Sequence, residues 1–427
     1  MAEGKINMDN NINKRKSRKK IVVAMDSFKG SLTSLEAGDA VRDGILERYP
    51  DVDVQIFPVA DGGEGTVEAL TFGKEHVQTR TIPVTGPVGA EVSVGYTIYE
   101  QEGEKTAVLE MAQAAGLPLV PKEKRNPMHT TTYGVGEMIR DAITCGCRKF
   151  ILGIGGSATN DAGIGMLQAL GFHFMDEAGR EVGYGAEGLA HVRTITIEDV
   201  LPELATCTFQ IACDVTNPLV GAQGCSAVFA PQKGADAKMV QAMDVAMNRY
   251  ADIVEDMYRK NPTLMENQLT GYDESGKNVE KTDRQSQVKN RMTPGAGAAG
   301  GLGYACLRFL HAALKPGIDI VLDEIQIAQA IQTADAVITG EGRFDAQTLM
   351  GKTPIGVARI AKAYEVPVYV FAGCFGADVQ VCIDSGVFAG CYAASNANTE
   401  EEKRLAMEKT QAYANLRNCV RNNLTGL

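Results

Sequence analysis

Lys20-Ile-Val-Val-Ala-Met-Asp26, continued by Ser27-Phe-Lys-Gly-Ser-Leu-Thr33 and a helical pattern running to Pro50, is the stretch that decides the fold. Ile21 to Met25 is too short an apolar run for a helix. It empties into Ser27, Lys29 and Gly30, as a strand buried on both faces and leading into a loop does. Thr33 and Glu36 have capping-box spacing, and Leu35, Val41, Ile45 and Leu46 recur at helical period until Pro50 stops them. Val54 to Val59 reads as the next strand, and Asp61-Gly62-Gly63-Glu64-Gly65 as the turn into the next helix. The chain therefore opens βαβα.

The same alternation returns at the other end. Ala334–Thr339 and Val366–Phe371 read as strands, separated by a helix over Pro354–Tyr364 with Thr353 as N-cap and Pro354 at its first position. A single last helix is expected from Thr399, with a capping box to Glu402 and an apolar face through Leu405, Leu416 and Val420. The middle is different. Val92, Val94, Tyr96 and Ile98 alternate, and Gly103 turns the chain into Thr106–Met111, which predicts an antiparallel hairpin. A helix over Thr130–Thr144 with Gly146 just past its end, a strand over Lys149–Ile154, a helix carrying Met166, Leu167 and Leu170, and a helix after Gly303 through Leu314 follow. The expected fold class is α/β in two domains. A parallel-sheet domain comes from both chain ends, at 20–76 and 304–427, and a mixed α/β domain at 77–303 is inserted into it. A ligand is expected in a cleft between the two.

Composition narrows the function classes. The 427 residues carry 42 Lys and Arg against 53 Asp and Glu, a net charge of −11. Seven of the cations lie in the first 20 residues against Glu3 and Asp9, a local +5, so the remainder carries −16. Residues 1–19 read as a disordered basic arm, and about 261–291 as a mobile polar loop. An acidic body argues against nucleic acid or anionic membrane as partner. With no run of 18 apolar residues and no apolar signal core, the cytoplasm is the expected location. Ten scattered Cys without a CxxC pair read as reduced thiols, and the five His show no metal-ligand spacing. A homo-oligomer is left open.

Glycine is in excess: 46 residues, about 11% against the usual 7% or so. Much of it falls in four loops beside hydroxyls or carboxylates, Asp61–Thr66 (DGGEGT), Gly153–Gly165 (GIGGSATNDAGIG), Gly295–Gly303 (GAGAAGGLG) and Gly340–Thr348 (GEGRFDAQT). Glycine lets amides converge on an anion, and a following helix adds its positive end, so phosphate or carboxylate binding is the physical reading; tight turns alone are the plainer one. Asp26, Asp61, Glu64, Asp161, Asp214, Glu341 and Asp345 stand at or just after predicted strand ends. Phosphoryl transfer needs such groups, to hold Mg2+ and to receive the proton of an attacking hydroxyl. Basic groups on these loops are few, chiefly Lys29 and Arg343, which suits a small anion. Gly351-Lys352-Thr353 is not a Walker A ending, because position 346 is Ala where that loop requires Gly, and no GxGxxG follows the first strand.

Six motifs in order, Asp26-Ser-Phe-Lys-Gly30, Ala60-Asp-Gly-Gly-Glu-Gly65, Gly155-Gly-Ser-Ala-Thr-Asn-Asp-Ala-Gly163, Cys213-Asp-Val-Thr-Asn-Pro218, Pro294-Gly-Ala-Gly-Ala-Ala-Gly-Gly301 and Gly340-Glu-Gly-Arg-Phe-Asp345, resemble those of the bacterial glycerate kinases of the first type. The resemblance runs from about Lys20 to about Ala394. It implies ATP-dependent phosphorylation of glycerate, usually on the 2-hydroxyl, with Mg2+, by two α/β domains of which one is flavodoxin-like and discontinuous. The basic arm and the long 261–291 stretch depart from the family pattern without touching a motif. On this reading the amides of Gly155, Gly156, Ser157, Thr159 and Asn160, and of Gly295, Gly297, Gly300 and Gly301, are expected to hold ATP phosphates, with Mg2+ on Asp161 or Asp214. Lys29 and Arg343 are expected to take the glycerate carboxylate or the transferring phosphoryl group, and Asp214 or Asp345 to position the hydroxyl. Asp26, Ser27, Asp61, Gly62, Gly63 and Glu341 complete the expected binding set. Kinases for another small hydroxy acid or for the 3-hydroxyl, and a non-catalytic ligand-binding regulator, are the alternatives.

Overall fold

The structure is a computed structural model that describes residues 18–260, 290–397 and 399–425. Most of the expected basic arm and nearly all of the expected polar loop lie outside the described residues. A five-stranded and a six-stranded sheet dominate. Their strands, numbered here in chain order, are β1 Lys20–Met25, β2 Asp53–Pro58, β3 Glu75–Thr85, β4 Glu91–Gln101, β5 Glu104–Glu110, β6 Lys149–Gly153, β7 Thr208–Ala212, β8 Ala313–Lys315, β9 Ala336–Gly340, β10 Val368–Ala372 and β11 Gly390–Ala393. By contacts the chain divides into two compact units, one of residues up to Phe57 with Gln326–Met350 and Val357–Leu427, the other of Pro58–Ile325 with Gly351–Gly356.

The first unit is built on the sheet β11-β10-β9-β1-β2. The pairings β1–β9, β9–β10 and β10–β11 are parallel. Counted in order of entry the strands lie 2-1-3-4-5, the order of a flavodoxin-like doubly wound sheet. Ile21 to Met25 are all at most 1% exposed, which is why β1 reads as an unbroken apolar run. On one face Ile21, Val23 and Met25 meet Val41 and Ile45 of the helix Ser34–Arg48 and Leu416 and Val420 of the helix Lys409–Asn423. On the other, Val370 and Ala372 of β10 meet Phe344 and Cys382. Both predicted capping boxes form: Thr33 with Glu36 and Thr399 with Glu402 exchange side-chain and backbone bonds. The single last helix does not, because the chain turns to extended backbone at Glu408 (φ −61°, ψ 129°) between helices Glu400–Met407 and Lys409–Asn423, leaving Leu405 43% exposed.

The second unit is built on the mixed sheet β8-β7-β6-β5-β4-β3. The expected hairpin β4–β5 is antiparallel and turns at Gly103, where φ is +81°. β3, which no clear alternation marks in the sequence, pairs antiparallel with β4 along nearly its whole length. β5, β6, β7 and β8 are parallel. The helix expected through Leu314 ends instead at Phe309, and Ala313–Lys315 leaves it to form the edge strand β8. The limits of the end-built domain differ from the expected 20–76 and 304–427: residues 58–76 and 304–325 belong to the second unit. There the helix Thr66–Thr71 packs on Gly317–Glu324, and β8 extends the second sheet. Its core gathers Phe172, Phe174, Tyr250 of the helix Ala237–Lys260, and Tyr304 and Phe309 of the helix Ala298–Phe309. All ten cysteines are free thiols.

Candidate active site

In the first unit β1 and β9 are parallel neighbours, paired as far as Met25 and Gly340. The loops that follow them leave side by side where the order of entry reverses, the point at which an open parallel sheet takes a ligand. After β1, the Asp26 N–H donates to the Gly340 carbonyl at 2.9 Å and the Asp26 carboxylate accepts from the Ser27 N–H at 2.6 Å. Asp26 and Ser27 are buried, and Lys29 is exposed. After β9, a Cβ on Gly342 would stand 3.3 Å from Phe28 Cα, so glycine lets the two loops lie together. The Thr348 hydroxyl donates to the buried Glu341 carboxylate. Asp345 accepts from the Gln347 N–H at 3.1 Å with one oxygen and from Arg343 Nε at 3.2 Å with the other, which holds a guanidinium that is 66% exposed. The result is two exposed cations, Lys29 and Arg343, on adjacent loops, an arrangement able to bind a small carboxylate or phosphate.

In the second unit the loop after β6 has an exposed tip, Gly155–Gly156, on a buried base, Ser157 to Asp161. Gly156 is left-handed (φ +73°), and a Cβ on Gly155 would meet nothing within 4 Å. Among the described residues none accepts the N–H of Gly155 or Gly156. The base is clamped from several sides. Ala158 N–H donates to Ala115 O and Leu117 N–H to Gly156 O, each at 2.9 Å, and the Thr130 hydroxyl donates to Ala158 O at 2.9 Å. From below, Lys233 Nζ donates to Ser157 Oγ and to the Thr159 carbonyl, both at 2.7 Å.

Asp161 has 0% exposure. One of its oxygens accepts from both the N–H and the hydroxyl of Thr132 at 2.8 Å, the other from the Gly163 N–H at 3.1 Å. Burial raises its pKa, and those hydrogen bonds pull the other way. This donor set braces a loop; it leaves no open carboxylate for the Mg2+ expected there. The loop Gly295–Gly301 is likewise consumed internally. A Cβ would stand 2.1 Å from Pro218 O at Gly297 and 2.1 Å from Thr159 O at Gly300, and Gly301 would meet Ala162 Cα at 2.8 Å. The Ala162 N–H donates to Gly300 O at 3.0 Å and the Gly297 N–H to Asn217 O at 2.9 Å. Gly295, Gly297, Gly300 and Gly301 are all buried, and close backbone approach is the reason for glycine at 297, 300 and 301.

Beyond β7 and β8, Asp214 accepts the N–H of Gly317 at 3.1 Å at the start of the helix Gly317–Glu324. The turn carrying Asp61, Gly62 and Gly63 lies against the same helix end: a Cβ on Gly62 would stand 3.0 Å from Gly317 Cα, and the Asp61 carboxylate accepts from the Gly63 N–H at 3.3 Å. Asp214 is exposed to solvent as a residue, yet the protein around its carboxylate raises its pKa by desolvation, and the negative charges of Asp61 and Asp319 add to the rise. Among the described residues no three His, Cys, Asp or Glu side chains are gathered so as to hold a metal ion by themselves.

Three residues of these sites went unnoticed as such in the sequence. Asp319 lies inside an apolar helix start, Thr132 in a run of three threonines, and Lys233 in Pro-Gln-Lys-Gly, where nothing marks a lysine as buried. Only the loop each one faces gives it meaning.

The model of the glycerate kinase family matches residues 21–424. A Haemophilus influenzae protein named glycerate kinase is 45% identical over 373 residues, 87% of this chain and 90% of its own. An Escherichia coli protein named glycerate 2-kinase is 42% identical over 383 residues, 90% of this chain and 92% of its own. A Salmonella typhimurium crystal structure, of a protein provisionally called glycerate kinase 2, superposes with a TM-score of 0.78 at 39% identity and covers 95% of this chain and 97% of that one. Five of the six motifs stand at or just after strand ends and the sixth opens the helix Ala298–Phe309, and the likeness spans nearly the whole chain: it belongs to the glycerate kinase family.

Proposed function

We propose that this protein is a kinase that transfers the terminal phosphoryl group of ATP to glycerate, on the 2-hydroxyl, with Mg2+. The observation that carries the reading is the pair of exposed cations, Lys29 and Arg343, on the two loops at the switch point of a flavodoxin-like sheet, in a chain of this family. The relative named glycerate 2-kinase favours the 2-hydroxyl. Lys29 and Arg343 bind the glycerate carboxylate, with Asp345 fixing the guanidinium. The free amides of Gly155 and Gly156 take phosphate oxygens of ATP. Asp214, whose raised pKa makes it a better proton acceptor than an ordinary carboxylate, orients the hydroxyl.

Mg2+ characteristically keeps several waters and binds one or two carboxylates plus substrate phosphates. Asp61, with Asp319 near Asp214, fits that description as a source of hard oxygen donors, whereas the enclosed Asp161 does not. When bound, the ion would neutralise charge on the phosphates.

A coupled assay of ADP release over glycerate, lactate, tartronate and erythronate tests the proposal, followed by phosphorus NMR of the product. Glycerate-dependent ADP release with 2-phosphoglycerate as product is expected. Release with another acid, or 3-phosphoglycerate as product, replaces the substrate or the position, and the absence of any acid-dependent release overturns the reading.

A further inference from the structure

Lys233 ends the single turn Pro231–Lys233 and is only 2% exposed. Burying an ammonium is costly unless it is well bonded. Desolvation pushes its pKa down to about 8, with Cys225 and then the negative charge of Asp161 opposing the fall. Both of its acceptors, Ser157 Oγ and the Thr159 carbonyl, lie in one stretch of the loop after β6, immediately behind the exposed Gly155–Gly156 tip. On its other flank that stretch is held by Asp161 through Thr132 and Gly163. A methionine of similar volume would fill the space and hold neither acceptor. The position is therefore built around the charge and its donors.

We propose that Lys233 is a positioning residue for the phosphoryl donor: it locks the base of the 155–161 loop so that the Gly155 and Gly156 amides are fixed where a phosphate oxygen meets them. It never touches the substrate in this role. Its positive charge, in a water-poor surrounding behind the tip, also adds an attraction for phosphate that costs no reorganisation during reaction. The inference rests on the proposed kinase reading.

The test is steady-state kinetics of the full chain as wild type, Lys233→Met, Ser157→Ala and the double variant. Wild-type protein must first show glycerate-dependent ADP release; its absence sinks the kinase reading and is distinct from failure here. Lys233→Met is expected to lower kcat/KM for ATP by about 10²-fold, the scale of losing one preorganised electrostatic contact, with KM for glycerate within about twofold. Ser157→Ala should lower it less, because the Thr159 carbonyl still holds Lys233, and the double variant should be no worse than Lys233→Met, because the Ser157 hydroxyl acts through Lys233. Near-wild-type kcat/KM in Lys233→Met, a loss confined to glycerate, or losses that simply add would each overturn the proposal. Should Lys233→Met fail to fold, Ser157→Ala decides: a several-fold rise in KM for ATP at unchanged glycerate KM supports it, and an unchanged KM for ATP overturns it.

Discussion

Replacing Asp161 by Ala separates two roles that the sequence leaves together. The carboxylate is fully buried and accepts three hydrogen bonds, from the Thr132 N–H, the Thr132 hydroxyl and the Gly163 N–H. Each donor left without an acceptor in the interior costs about 1–3 kcal/mol, so the three set a gross cost of at least about 3 kcal/mol. Lys233 loses its nearby negative charge as well, which adds to the cost. Against this stands the relief of no longer burying the Asp161 charge, whose raised pKa records that penalty. The net expectation is a loss of about 3–5 kcal/mol, or a fall of roughly 6–20 °C in the Tm of the second unit at about 2–4 °C per kcal/mol. Calorimetry of wild type and Asp161→Ala reads this directly, and a Mg2+ titration of activity at a temperature where both are folded reads the other role. A metal ligand behaves in the opposite way, with Tm held and the Mg2+ requirement raised. A Tm within about 2 °C of wild type, together with a raised Mg2+ requirement, would refute the reasoning.

Other expectations follow from the same geometry. Lys29→Ala and Arg343→Ala should each lower kcat/KM for glycerate by about 10²-fold without moving Tm, since both side chains are exposed; near-full turnover in both would remove them from the site. Gly300→Ala should destabilise by at least about 2 kcal/mol, because its φ is +68° and the new methyl would stand 2.1 Å from Thr159 O, whereas Gly155→Ala, facing open space, should leave Tm unchanged; urea unfolding of the two compares them. His173 donates at 2.9 Å from Nε2 to the Asp199 carboxylate and from Nδ1 to the Glu181 carboxylate, which raise its pKa above the ordinary value of 6.5. A raised folded pKa means stabilisation that is complete below the unfolded value and lost as pH rises through the folded one. The Tm gap between wild type and His173→Gln should accordingly be largest near pH 6 and close by pH 9, and a gap independent of pH would contradict the ion pairs.

Much of the first unit was legible because its signals are local. Thr33 and Glu36 interact within one helical turn, and the run Ile21–Met25 is apolar at every position because β1 is covered on both faces. The break at Glu408 was not legible, since Leu405, Leu416 and Val420 keep a helical period across it and only packing shows that Leu405 faces water. β3 escaped because its alternation is poor and most of its residues are exposed, so its pairing with β4 carries the evidence. The boundary between the units moved because Thr66–Thr71 and β8 carry no mark of the partners they pack on.

The candidate site divides in the same way. By itself the sequence determined that glycine loops with carboxylates and a few cations stand at strand ends, because strand, turn and cap signals all lie within a few residues of one another. Which glycines present free amides and which serve close packing was decided only by the tertiary structure. Gly155 and Gly300 look alike in sequence, yet one faces open space and the other the backbone of Thr159. The same holds for the charges. Asp161 and Asp214 are both aspartates in glycine- or turn-rich loops, and only the neighbours brought to them through the fold, three donors around one and two acids near the other, make the first a brace and leave the second open to chemistry. A side chain's role depends on its desolvation and its partners, and those are contributed by residues far away along the chain.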